Sequence, residues 1–183
     1  MRIYLIRHTK LKVQNNICYG NSEVELADSF LEEASLIKNK ISNLENFVVY
    51  SSPLQRCVKL ANFLFLNQFQ IKTELQEMNF GTWTNQTWDS IPEPWYQDFV
   101  NYKIPQGESF IDFYNKIIYF FQKEVTNSQK NMIWITHAGV IRALVCFVLN
   151  LDLKNAFYFS LDYGGITTIL KKENMFYLER LNC

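Results

Sequence analysis

Apolar and polar residues come in blocks along this chain, and the blocks change period. RIYLI (residues 2–6) is an apolar run of strand length and reads as a buried strand. From Ser29 the pattern shifts: Phe30, Ala34, Ile37, Ile41 and Leu44 recur at three- or four-residue steps, predicting an amphipathic helix, with Ser29 and Glu32 as a capping box at its start. NFVVYSS (46–52) is a second buried strand. Ser52 and Pro53 then read as an N-cap followed by proline at the first helical position, opening a helix over 54–66. IKTELQEM (71–78) predicts a short strand, and a less regular, aromatic stretch follows to about Gly107.

Beyond it, Ser109 and Asp112 open a helix with Phe110, Phe113, Ile117 and Phe121 on one face. NMIWITH (131–137) is a third buried strand, and Ala138-Gly139 turn it into VIRALVCFVL, apolar nearly all round and so a buried helix. GGITTILKKENMFYLERL reads as an edge hairpin turning at Lys172 to Asn174. Buried strands alternating with helices predict an α/β fold: a three-layer sandwich with a mostly parallel central sheet flanked by helices. No repeat or Gly/Ser linker interrupts it, so residues 1–183 read as one domain, with a lid-like segment at about 78–107.

Ligands in such sheets bind at the carboxyl ends of the strands. The first strand ends at Arg7-His8. The second runs into Ser51-Ser52, with Arg56 at the start of the next helix. The third ends at His137. A lone histidine at a strand end is more often a structural hydrogen-bonding group. Here both histidines of the chain sit at strand ends beside arginines and helix starts, which shifts the reading towards function. Two arginines offer bidentate donors to a phosphate or carboxylate, and the helix starts behind Ser52 and Ala138 add backbone donors. Neutral histidine can carry a phosphoryl group covalently, its second ring nitrogen fixed by a backbone carbonyl. A second, protonated histidine would help hold the transferring group. The leaving oxygen needs a proton, and Glu77, among Met78, Phe80 and Trp83, is the best-placed carboxylate to give it; Glu108 and Asp89 are the next candidates.

Composition narrows the partners. Lys plus Arg and Asp plus Glu are 18 each, which argues against nucleic-acid or anionic-membrane binding; the partner expected from the strand-end arginines and histidines is a small phosphorylated metabolite. The longest apolar stretch, 140–153, is broken by Arg142, Asn150 and Asp152 and does not make a membrane span. The start of the chain lacks the pattern of a secretory signal. Cys18, Cys57, Cys146 and Cys183 form no ligand spacing, so reduced thiols and a cytoplasmic setting are expected. The oligomeric state is left open.

LIRHTK, SSPLQRC, LQEMNFGTW, PQGES and ITHAGVIRAL, in this order from Arg2 to about Leu149, resemble the motifs of the histidine phosphatase superfamily, also called phosphoglycerate mutase-like. The resemblance implies that His8 is the phosphorylated nucleophile. It implies a phosphate pocket of Arg7, Arg56 and His137, with Glu77 as proton donor and neither metal nor cofactor. Two departures from the family pattern involve three positions. Thr9 and Lys10 replace its glycine and acidic or amide residue, with Lys10 expected to point to water. Gln14 replaces an asparagine, leaving Gln14 or neighbouring Asn15 to contact phosphate.

ICYGNSEVELADSF (17–30), GES (107–109) and DYGGITTI (162–169) are most similar to α-ribazole phosphatases, with Gly20 and Asn21 as candidate substrate contacts. Three of four tryptophans crowd the segment after Glu77. Most are expected to pack as a lid, with one or two, Trp83 first, touching substrate. The alternatives are another small-molecule phosphatase, a mutase-type phosphotransferase and a non-catalytic phosphate-binding module.

Overall fold

A computed structural model of the protein describes residues 1–126 and 128–183. Strands β1 (Arg2–Arg7), β3 (Phe47–Ser51) and β6 (Asn131–Thr136) form the centre of a six-stranded sheet. With β4 (Gln70–Ile71), β7 (Ile166–Lys172) and β8 (Met175–Arg180) the order is β4-β3-β6-β1-β7-β8. The first four in this order run parallel. The β7–β8 hairpin lies antiparallel beside β1. Strands β2 (Ile17–Cys18) and β5 (Gln86–Thr87) pair separately.

Period-two alternation sends the strand side chains to opposite faces. Ile3, Leu5, Met132 and Trp134 pack under helices α4 (Phe110–Thr126) and α5 (Ala138–Leu149). Ile6, Val49, Ile133 and Ile135 pack under α1 (Phe30–Ile41) and α2 (Gln55–Phe65). The result is the expected three layers. Among the described residues no helix is long and apolar enough to cross a membrane.

Three local expectations fail. Ser29 does not close a capping box. Its hydroxyl donates to the Glu33 carboxylate at 2.6 Å, and no side-chain cap forms on α1. Helix α2 starts one residue later than predicted, at Gln55, because Ser52 turns towards His137. Residues 71–78 are mostly not strand: Thr73–Leu75 is a 3-10 turn that sets Leu75 into the core.

Between Met78 and Gly107 the chain forms two further 3-10 turns, Gly81–Trp83 and Trp88–Ser90, and a short helix α3 (Glu93–Gln97). The β2–β5 pair joins this segment to the loop after β1.

Candidate active site

Arg7 and His8 end β1 beside the end of β6. Their spacing is set by backbone pairing: Arg7 faces Thr136 in parallel register, and the His8 N–H donates to Thr136 O at 3.1 Å. The rings of His8 and His137 therefore meet edge to face, with centroids 5.2 Å apart. His8 is 1% exposed and His137 is fully buried.

The His8 Nδ1 lies 2.8 Å from Thr9 O. A carbonyl only accepts, so Nδ1 carries the proton and Nε2 keeps its lone pair. This is the tautomer that nucleophilic attack requires. Burial, and then the Arg56 charge, hold the His8 pKa well below its usual value. His137 is held low by burial and then by Arg56, His8 and Arg7. Its Nδ1 accepts from Arg56 Nε at 3.3 Å, so its Nε2–H donates to Ser52 Oγ at 2.8 Å. Burial first, and then the Arg56 charge, favour the neutral ring of His137 over the expected protonated one.

Of its five N–H donors, Arg56 gives one to His137 and two to the carbonyls of Ser22 and Gly20, at 2.6 and 2.7 Å. One remains on each terminal nitrogen. Gly20 accepts this bond at φ +46, and a Cβ there would meet Met78 O at 2.7 Å, so no other residue fits without a shift. Arg7 gives one donor to Leu161 O, and its buried Nε has no partner. The Glu77 carboxylate accepts from the Gly139 N–H at the start of α5, at 3.1 Å, and from Met78 N–H at 3.0 Å. A Cβ on Gly139 would lie 2.2 Å from Glu77 Oε1, so the glycine permits this approach.

A cavity of about 270 Å³ opens beside this cluster; Arg7 and Glu77 reach its lining, and His8, Arg56 and His137 lie outside it. Arg7, Tyr19, Gly20, Glu77, Ala138 and Arg142 line its polar side, and Phe80, Trp88, Trp95, Phe99, Phe110 and Phe157 wall the other. Arg7, His8, Arg56, Glu77, His137 and Ala138 are thus brought together.

Other expected contacts are not. Gln14 and Asn15 are exposed and outside the lining, carried off by the loop that pairs through β2. Asn21 is half-buried and also outside it. Trp83 turns inward to stack on Tyr102, 5.7 Å between centroids, and leaves the wall to its neighbours. Glu108 pairs with Lys116 and Asp89 with Asn16, so neither replaces Glu77. Arg142 escapes the sequence reading. It lies on α5 one turn behind Ala138, and its buried Nε has no partner. Its only signal is a charged residue inside an otherwise apolar helix.

The neutral histidines make stability depend on pH. Their ordinary value is 6.5. Below it the unfolded chain takes up two protons that the folded chain refuses, so stability is present above this value and lost as pH falls. Each histidine contributes a slope of about 1.4 kcal/mol per pH unit. Melting curves in phosphate-free buffer should show a falling Tm between roughly pH 6.5 and 5.5, with a shallower slope in a His137→Gln variant. An equal slope in that variant would contradict the assignment of a neutral, buried His137.

The model of the histidine phosphatase superfamily (branch 1) matches residues 3–183. Phosphoserine phosphatase 1 of Hydrogenobacter thermophilus is 24% identical, over 100% of this chain and 92% of the relative. The adenosylcobalamin/α-ribazole phosphatase of Salmonella typhi is 24% identical, over 100% and 96%. The crystal structure of the α-ribazole phosphatase from Shigella flexneri superposes with a TM-score of 0.88 at 22% identity, covering 100% of this chain and 96% of that one.

Proposed function

Because the chain belongs to the histidine phosphatase superfamily (branch 1), we propose that it hydrolyses a small phosphomonoester through a phosphohistidine on His8. One observation supports this reading: the His8 ring, with its proton on Nδ1, lies against His137, to which Arg56 donates, while Arg7 and Glu77 line the adjoining cavity. A module that only binds phosphate has no use for the carboxylate.

In this mechanism the His8 Nε2 attacks phosphorus in line with the ester oxygen. Arg7 and Arg56 hold the equatorial oxygens, and His137 moves its Nε2–H from Ser52 to one of them. The phosphorus–oxygen bond to the alcohol breaks, and Glu77, entering the cycle as the carboxylic acid, gives the leaving oxygen its proton and becomes the carboxylate. Water then attacks the phosphohistidine and Glu77 takes a proton back. Phosphate departs, and His8 and Glu77 return to their starting states.

The aromatic wall supports a substrate with a flat ring behind the phosphate. α-Ribazole 5′-phosphate, of cobalamin assembly, is the first candidate, also because named α-ribazole phosphatases share this length and fold. Arg142 favours a second reading, a substrate with a carboxylate such as phosphoserine, the substrate in the name of another relative. The four free cysteines suit a cytoplasmic enzyme. Steady-state assays with both esters separate the readings. We expect kcat/KM for α-ribazole 5′-phosphate to exceed that for phosphoserine by about tenfold or more, from ring stacking and apolar burial. The reverse order, abolished by Arg142→Gln, would establish the carboxylate reading.

A further inference from the structure

Arg7 has few means of holding its place. Among the described residues its one side-chain hydrogen bond goes to Leu161 O, and its buried Nε is unpartnered. What covers it is Tyr163, whose ring centroid lies 3.8 Å from the guanidinium carbon. The same ring stands 5.5 Å from the His8 imidazole. Its hydroxyl lies 3.2 Å from that of Tyr19, a cavity-lining residue 144 positions away in sequence, and the Tyr19 ring in turn lies 5.5 Å from the Arg56 guanidinium carbon. The Tyr163 loop is sewn to the catalytic strand itself: Gly164 N–H donates to His8 O at 3.2 Å, and Arg7 N–H to Gly165 O at 3.1 Å.

Resting on the reading of Arg7 as a phosphate ligand, we propose that Tyr163 is a positioning residue for Arg7, its ring holding the guanidinium towards the anion and its hydroxyl tying it to Tyr19. A ring face attracts a guanidinium through its quadrupole, and more so where water is excluded. Planar contact also restricts the rotation of a long side chain, so its donors are pre-aimed when the anion arrives. The hydroxyl bridge joins the 17–22 and 161–165 loops across the pocket. Burial and then the Tyr163 hydrogen bond raise the Tyr19 pKa, which keeps its phenol intact as one half of that bridge.

The test is a double-mutant cycle on binding of inorganic phosphate, read by calorimetry with no turnover needed. Tyr163→Leu should weaken phosphate about tenfold. Tyr163→Phe keeps the ring and should stay within about threefold of the natural protein. In an Arg7→Gln background, Tyr163→Leu should have almost no further effect. With a phosphomonoester, Tyr163→Leu should raise KM and lower kcat together, and Tyr163→Phe should restore both. Losses that simply add in the cycle would overturn the proposal and leave the phosphatase reading standing. So would a Leu variant that binds as the natural protein does, or a Phe variant as weak as the Leu one. A natural protein that binds no phosphate would overturn both.

Discussion

A His8→Ala variant is expected to form no phosphoenzyme and to lose turnover by on the order of 10⁴- to 10⁶-fold, while inorganic phosphate still binds. The expectation follows from the tautomer. Thr9 O accepts a hydrogen bond from the Nδ1–H, so the Nε2 lone pair is left as the nucleophile. Alanine removes it and leaves Arg7 and Arg56 in place. Rapid-quench labelling with a radioactive phosphomonoester, stopped in alkali to preserve phosphohistidine, reads the intermediate directly. Appreciable turnover without a label would make water the direct nucleophile.

Glu77→Gln is expected to slow phosphorylation by an alkyl phosphate roughly 100- to 10,000-fold and by p-nitrophenyl phosphate far less. An alkoxide cannot leave without a proton; p-nitrophenolate can. Gln keeps the side chain's size and an oxygen for the Gly139 N–H that now bonds the carboxylate, at the loss of the bond from Met78 N–H. Single-turnover rates are the measurement, because in the proposed cycle the same carboxylate also serves the attack of water on phosphohistidine. A burst of p-nitrophenol followed by slow turnover would reveal that second role. Equal losses on both esters would reduce Glu77 to a binding group.

The central strands and the strand-end histidines are legible in the sequence, because each depends on a local pattern: an apolar run, a stop, a helix start. Glu77 is legible through its motif. Tyr163 lies in a quoted stretch, DYGGITTI, yet its position over Arg7 is decided by a loop that closes more than 150 residues later in the chain. Arg142 looks like an interruption of a buried helix until the fold shows what that helix faces. Trp83 fails for the opposite reason. Its nearness to Glu77 in sequence suggests contact, but the 3-10 turn at Gly81–Trp83 rotates it inward, and Trp88 and Trp95, farther along, take the wall. Ser52 fits a helix cap by sequence. The imidazole it meets, 85 positions away, competes for the same oxygen.

The register of β1 on β6, Arg7 against Thr136, acts as a ruler for the chemistry. His8 and His137 each follow the paired residue directly, so the hydrogen-bonded backbone fixes how far apart the two residues stand. Sliding one strand by a single residue would turn every core side chain of that strand to the wrong face. The catalytic metric therefore cannot drift while the sheet stays folded. The aromatic wall is under no such restraint: Phe80, Trp88, Trp95 and Phe99 come from turns and a short helix, and Phe157 from a loop. Grafting a different 80–99 segment, with its matching residue at 157, should exchange the leaving group accepted while leaving the phosphoryl-transfer frame untouched.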